Sequence, residues 1–153
     1  MGDNAQPTRA VVLTPFGPVT LAEERGRLVR LDWRADPGEG SALLDEAAAQ
    51  LRAYFDRRLA RFDLPFDWGE GLNAQVRRAM ADIPLGETRT YGEIARAVGA
   101  PAQAVGQACG ANPLPILIPC HRVTGTDWFG GFSAPGGVET KAALLRHEGA
   151  LLL

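Results

Sequence analysis

The sequence contains few of the residues on which metal-binding and disulfide-stabilised proteins depend. Its 153 residues include only two cysteines, Cys109 and Cys120, and only two histidines, His121 and His147. Structural zinc usually binds thiolate and imidazole groups, and none occurs before position 109. The chain also lacks a Walker-type phosphate loop and a His-Glu-x-x-His motif. We therefore expect neither a metal site nor a bound nucleotide.

Long apolar runs and an excess of one charge are absent as well. No run approaches the roughly 20 apolar residues that span a bilayer, and residues 1–10 lack the basic start and apolar stretch of a signal peptide. We expect a cytoplasmic protein with no membrane partner, in a reducing compartment where both thiols stay free. The net charge is −2, so any contact with nucleic acid must come from one local face.

The apolar pattern predicts an α/β amino-terminal lobe. Residues 62–68 include a proline and are expected to be extended, so we place a boundary near residue 66 and predict units 1–66 and 67–153. Period-two and helical spacings predict strands at 10–14, 18–22 and 27–33, and a helix at 41–59.

The second unit is predicted to be mainly helical. Thr90 and Glu93 have the spacing of a capping box, and two short helices separated by residues 99–101 form a helix-turn-helix pattern. Pro101 is expected in the first turn of the second of them. Helices are predicted at 72–83, 91–98, 102–110 and 138–147, a buried strand at 116–118 and a Gly-rich loop at 124–137.

Cys120 is the first candidate for chemistry. A free thiol has a pKa of about 8.5, so a reactive cysteine needs a base or a positive charge nearby. His121 and Arg122 follow Cys120 directly. Taken alone, this adjacency favours the alternative interpretation, in which the cysteine is buried as a small apolar residue.

The residues around Cys120 are far more specific than the Cys-His pair. Residues 112–123, NPLPILIPCHRV, closely resemble the active-site signature of the O6-alkylguanine-DNA alkyltransferases. Residues 86–95, GETRTYGEIA, resemble the start of that family's helix-turn-helix, and residues 144–149, LLRHEG, resemble its final helix. The order and spacing agree over about residues 72–149, and the amino-terminal lobe is similar more loosely.

The resemblance implies a DNA-repair methyltransferase that acts once and needs no cofactor. An alkyl group would pass irreversibly from O6-alkylguanine in double-stranded DNA to Cys120. His121 would be the base, acting through a bridging water, and Glu148 would orient it. Tyr91 would protonate the departing guanine, and Asn112 would hold the turn before the active site. A ribonuclease-H-like amino-terminal lobe is also implied, and we expect a monomer. Without the motif, Glu148 would be interpreted as a solvated helix end and Tyr91 as a core aromatic.

The resemblance also assigns contacts to DNA, whose target base must be flipped out of the duplex. Small residues on the second helix of the pair would let its backbone approach the minor groove, or would serve tight packing. The residues expected to contact DNA or the flipped guanine are Asn73, Thr90, Gln103, Ala104, Arg122, Thr126, Phe132 and Ser133.

Three departures from the family pattern bear on DNA binding. Gln103 stands where the family usually has an arginine that fills the gap left by the flipped base, and the turn before it is about two residues short. Arg77 stands where tryptophan is common, and we expect it either to contact phosphate or to be solvated. The loop expected to bind the guanine looks about two residues longer than is usual in the family, with Phe132 in place of a common tyrosine.

Three other functions stay open at this point. A non-catalytic damage sensor is disfavoured by Cys120, because such relatives lack the acceptor cysteine. A Cys-His hydrolase would leave the helix-turn-helix unexplained, and it would turn over, which an alkyl acceptor does not. A plain DNA-binding regulator would keep its function without Cys120.

Overall fold

The computed structural model describes residues 8–126 and 130–151. The chain divides into two compact units, Met1–Asp67 and Trp68–Leu153. Strands and helices occur in both units, so the α/β class predicted from the sequence is confirmed. No helix of the described residues is long and apolar enough to cross a membrane.

The first unit is built on a three-stranded antiparallel sheet in the order β1-β2-β3. The predicted strands are confirmed within two residues at each end, as β1 (Thr8–Thr14), β2 (Gly17–Glu24) and β3 (Arg27–Asp32). The turn between β2 and β3 places Arg25 and Gly26 at positive φ, as a two-residue turn of type I′ requires. Part of the segment predicted to be extended, residues 65–67, lies beside β3 and parallel to it. The Asp67 N–H donates to the Leu28 carbonyl at 2.9 Å.

Helix α1 (Ala42–Phe55) packs on β1 and β2. The Ser41 hydroxyl caps it by accepting the Leu44 N–H at 3.1 Å. The predicted end at residue 59 is wrong, because Arg57 takes a left-handed conformation with φ of 59° that ends a helix. The helix and sheet together bury the unit's core, which includes Val12, Val19, Leu21, Leu31, Leu44, Leu51 and Tyr54.

The second unit is mainly helical, as predicted. Two short strands, β4 (Arg89–Thr90) and β5 (Val123–Thr124), pair in parallel. The helices are α2 (Gly71–Ala81), α3 (Tyr91–Val98), α4 (Ala102–Gly110) and α5 (Val138–His147). Buried apolar side chains from all of these helices form the core, among them Val76, Met80, Ile94, Val105, Leu144 and Leu145.

Local signals set the ends of α3. The Thr90 hydroxyl accepts the Glu93 N–H at 3.0 Å, and the Glu93 carboxylate accepts the Thr90 N–H at 2.8 Å. The predicted capping box is therefore confirmed, and left-handed Gly99 ends the helix. Pro101 is the N-cap of α4 and not part of its first turn as expected.

The segment between α4 and Cys120 is a buried turn, so the strand predicted at 116–118 is wrong. The Ile118 N–H donates to the Leu114 carbonyl at 2.8 Å, and Ile116 has a φ of 71°, which a strand does not allow. The three apolar residues are buried as expected. A short apolar run predicts burial but does not distinguish a strand from another buried conformation.

Candidate active site

Cys120 opens a 3₁₀ turn, Cys120–Arg122, that leads directly into β5. Its side chain is partly accessible and lines a pocket of about 180 Å³ together with Tyr91, Asn112, Phe132 and Ser133. Burial raises the pKa of the Cys120 thiol, while a hydrogen bond from Asn112 and the charge of Lys141 act in the opposite direction. The resting thiol is therefore protonated at neutral pH, and its reaction as a nucleophile needs a base.

His121 and Glu148 form a buried pair next to this thiol. Nε2 of His121 lies 2.6 Å from Oε2 of Glu148, and the side chains of both residues are completely buried. Burial lowers the pKa of His121, against the raising effect of the carboxylate. Burial alone would raise the pKa of Glu148, but hydrogen bonds from His121 and Arg122 outweigh it and lower the pKa to about 2. The interpretation of Glu148 as a solvated helix end is therefore wrong.

These pKa directions identify the tautomer of His121. An ionised carboxylate only accepts hydrogen bonds, so Nε2 carries the proton and donates it to Glu148. The lone pair of the neutral ring then lies on Nδ1, which is buried and has no hydrogen-bond partner among residues 8–126 and 130–151. His121 thus has the protonation state that a general base requires.

Arg122 is buried inside the unit, so its predicted contact with DNA is wrong. Its Nε and Nη2 donate to the two carboxylate oxygens of Glu148 at 2.8 and 3.0 Å, and its Nη1 donates to the Ile83 carbonyl at 2.7 Å. A bidentate pair of this kind fixes the plane of the carboxylate. Arg122 therefore holds Glu148 in the orientation in which it meets His121.

Asn112 joins the two ends of the buried turn before Cys120. Its Nδ2 donates to the Ile118 carbonyl at 2.9 Å, and its Oδ1 accepts the Leu114 N–H at 3.1 Å. The amide thus takes up backbone groups that no helix or strand satisfies. The same side chain reaches the Cys120 thiol.

Tyr91 and Phe132 form apolar parts of the pocket wall. Burial raises the pKa of Tyr91, and the neighbouring thiols of Cys109 and Cys120 add to the rise, so the phenol keeps its proton at neutral pH. A side chain at Gly130 would collide with the Tyr91 ring. Phe132 meets His121 edge to face, with ring centroids 6.5 Å apart.

The other predicted contact residues do not line this pocket. Asn73 in α2, Gln103 in α4 and Thr126 are exposed, while Thr90 and Ala104 are half-buried. On α4, a Cβ added at Gly106 or Gly110 would meet nothing within 4 Å in the described chain, so packing inside the unit does not require these glycines. Ala108, in contrast, is buried. Tight packing therefore explains the alanine, and the two glycines leave the helix surface open to a close partner.

Sequence reasoning missed two buried side chains near the thiol. Nζ of Lys141 donates to the carbonyls of Val123 and Gly131 at 2.6 and 3.3 Å, and burial lowers its pKa to about 8. The sequence offered one indication of its special position, because it is the one lysine among 16 basic residues. In the structure it lies on the buried face of α5. Cys109 lines the same pocket, and burial raises its pKa to about 12.

Arg77 also differs from its prediction. It is neither solvated nor free to contact phosphate, because it is only 8% exposed and its Nη1 donates to the Trp68 carbonyl at 3.1 Å. Its neighbour Arg78 lies over the Trp68 ring, 4.7 Å from the centroid. Within the described chain, no cluster of three or more histidine, cysteine or acidic side chains is arranged to bind a metal.

Known proteins are similar to this chain in sequence. Residues 9–68 match the ribonuclease-like domain of 6-O-methylguanine DNA methyltransferase, and residues 71–150 match its DNA binding domain. The methylated-DNA–protein-cysteine methyltransferase of Mycobacterium tuberculosis is 42% identical over 151 residues, covering 88% of each chain. The Methanosarcina barkeri protein of that name is 40% identical over 151 residues, covering 90% of this chain and 94% of its own.

A solved structure extends the similarity to three dimensions. Mycobacterium tuberculosis OGT, crystallised in complex with DNA, is 39% identical and superposes with a TM-score of 0.80 over 94% of this chain and 93% of its own. Both units of the chain are thus matched in sequence and fold, and the chain belongs to the 6-O-methylguanine DNA methyltransferase family.

Proposed function

We propose that this protein repairs DNA by moving the alkyl group of O6-alkylguanine onto Cys120, and that one molecule repairs one lesion. The observation that carries the proposal is the arrangement at the pocket. A partly accessible thiol is followed by a buried histidine whose Nε2 lies 2.6 Å from a carboxylate oxygen of the buried Glu148. The relatives named as methylated-DNA–protein-cysteine methyltransferases support the same chemistry.

His121 acts as the general base. The Nδ1 lone pair accepts the Cys120 proton through a bridging water, and the ionised Glu148 stabilises the imidazolium that forms. Arg122 keeps the carboxylate in place during this step through its two hydrogen bonds. The base is needed because burial raises the pKa of the thiol.

The thiolate then displaces guanine from the alkyl carbon. A sulfur–carbon bond forms while the carbon–O6 bond breaks, and the electron pair of that bond leaves with the guanine. Tyr91, whose phenol carries its proton at neutral pH, supplies the proton that neutralises the leaving base. The product is a thioether, which is stable, and the protein is therefore consumed.

The guanine reaches the pocket only if it leaves the base stack. Phe132 and Ser133 line the pocket and are placed to stack on the flipped base and to bond its polar edge. We assign helices α3 and α4 to a helix-turn-helix that binds double-stranded DNA, with Gln103, Ala104, Thr90, Thr126 and Asn73 as contacts. The open surface at Gly106 and Gly110 supports close approach of α4.

The remaining assignments are also proposals. Residues 67–153 carry both DNA binding and the reaction, and residues 1–66 form a separate lobe of the ribonuclease-H type. The protein acts as a monomer in the cytoplasm, where the acceptor thiol stays reduced.

Intact-protein mass spectrometry after incubation with a duplex containing O6-methylguanine tests the proposal. We expect one mass increase of a single CH2 unit per molecule, located at Cys120 by peptide mapping. No mass change in folded, reduced protein that still binds the lesion would indicate a damage sensor instead. Loss of lesions in excess of protein would indicate turnover, and therefore a hydrolase.

A further inference from the structure

Arg77 is a buried cation that the transfer chemistry does not use. Its Nη1 donates to the Trp68 carbonyl at 3.1 Å, and its Nη2 lies 3.4 Å from the Ala111 carbonyl. Ala111 is the C-cap of α4, and Asn112 follows it directly. The guanidinium on α2 thus reaches the end of the helix that leads into the active-site turn.

Helix α4 is weak by its own sequence. It has no side-chain hydrogen bond at its N-cap and no basic residue in its last turn, and it contains Gly106 and Gly110, each of which disfavours a helix by about 1 kcal/mol relative to alanine. The last carbonyls of a helix carry partial negative charge. Arg77 therefore supplies, from a neighbouring helix, the positive charge that α4 lacks at its carboxyl end.

The surroundings of Arg77 are shaped for a guanidinium. A Cβ at Gly69 would lie 2.5 Å from Nη1, and Gly69 has a φ of 80°, so a glycine is needed there. Arg78 lies over the Trp68 ring and restrains the same short segment. A buried charge is costly unless it is hydrogen-bonded. Nε of Arg77 has no partner in the described chain, so the charge depends on the two carbonyls of Trp68 and Ala111.

We propose that Arg77 is a positioning residue that fixes the carboxyl end of α4 and, through it, the Asn112 side chain that meets the Cys120 thiol. Asn112 spans the Leu114 N–H and the Ile118 carbonyl, so a displacement of Ala111 is passed to both ends of the turn before Cys120. The inference rests on the proposed function in one respect, namely that Cys120 is the reacting thiol.

The test compares Arg77→Met, which keeps an unbranched apolar stem but removes the charge and the donors, with Arg77→Lys, which retains a positively charged donor group. Alkylation of Cys120 by iodoacetamide is followed across pH by peptide mass spectrometry. Single-turnover repair of an O6-methylguanine duplex is measured in parallel. Arg52→Met is the control, since it removes an exposed cation from α1, which belongs to the other unit.

We expect the pH profile of Cys120 alkylation in Arg77→Met to move to higher pH, because the hydrogen bond from Asn112 that favours the thiolate is weakened. Alkylation at pH 7 should slow by about threefold or more, and repair by about tenfold. Arg77→Lys should lie between Arg77→Met and the wild type, and Arg52→Met should match the wild type.

A wild-type pH profile in folded Arg77→Met overturns the proposal even if repair is slower, because Arg77 then acts on stability alone. If Arg77→Met does not fold, Arg77→Lys decides, and a profile equal to that of the wild type overturns the proposal. Iodoacetamide reacts with the thiol in the absence of DNA. A failure of methyl transfer would therefore contradict the proposed function without affecting the comparison of alkylation rates.

Discussion

The surroundings of Cys120 and Cys109 differ, although the two cysteines line one pocket. Burial raises the pKa of both thiols. Cys109 lies in α4, buried, with its sulfur 3.6 Å from that of Met80. Cys120 is partly accessible, is followed by the His121–Glu148 pair and is reached by Asn112. We therefore propose that the neighbouring base and the contact with Asn112, and not a low resting pKa, distinguish Cys120 from Cys109 as the acceptor.

The largest expected effect comes from removing one of the two thiols at a time. Cys120→Ala should abolish methyl transfer while lesion binding persists, because the pocket keeps its shape. Cys109→Ala should still accept one methyl group per molecule. Intact mass spectrometry and gel-shift assays with an O6-methylguanine duplex measure both properties. Methylated protein from Cys120→Ala would contradict the proposal that Cys120 and not Cys109 is the acceptor, as would complete loss of transfer in folded Cys109→Ala.

Removing the base should give the next largest effect. We expect His121→Gln to slow single-turnover transfer at pH 7 by about 100-fold or more. The deficit should shrink as the pH rises toward the raised pKa of Cys120, because the thiol then ionises without help. An equal deficit at pH 7 and at alkaline pH would show that His121 is not the base.

The rate of methyl transfer by the wild-type protein should not change in mild acid. Because burial lowers the pKa of His121, the ring stays neutral when the pH falls to the ordinary histidine value of about 6.5. We therefore expect the transfer rate to hold down to that pH and to fall only below it. A rate that is halved near pH 6.5 in stopped-time assays would contradict a neutral, buried base.

Glu148 should make the stability of the fold sensitive to acid. Its pKa is about 2 in the folded protein and about 4.3 in an unfolded chain. The stabilisation is complete above about pH 4.3. It is lost as the pH falls toward 2, because the unfolded chain takes up the proton first. The loss amounts to roughly 3 kcal/mol.

Urea unfolding across this pH range tests the prediction. Glu148→Gln should flatten the dependence of the unfolding free energy on pH, and Glu139→Gln at the exposed start of α5 should not. Equal slopes in wild type and Glu148→Gln would mean that the carboxylate is not held in its ionised form by His121 and Arg122.

The smallest expected effect lies outside the pocket. Gln103→Arg restores the charge and stacking plane that the family usually has on this helix, and we expect it to speed repair of duplex lesions by a few-fold. The iodoacetamide reaction of Cys120 should not change, because Gln103 is exposed on α4. An unchanged repair rate would mean that base flipping is not limited at this position.

Local chemistry made much of the second unit predictable. Helices α3, α4 and α5 begin and end where the sequence predicted, since caps, glycines and prolines act on residues only a few positions away. The motif at residues 112–123 likewise pointed to Cys120 and Asn112 as members of one site, and both line the pocket.

Only the tertiary structure decided which charged side chains are buried. Glu148 is 27 residues from His121, Arg122 is 39 residues from the Ile83 carbonyl, and Arg77 is 34 residues from Ala111. The residue pattern alone left each of these side chains compatible with a solvent-exposed position, and only the family resemblance implied that Glu148 lies beside His121. The partners that offset the cost of burying a charge come from segments that are distant in the sequence, and only folding brings them together. The sequence by itself therefore determined the local helices and pointed to the thiol that we propose as the acceptor, whereas the fold determined which charged groups are buried beside it.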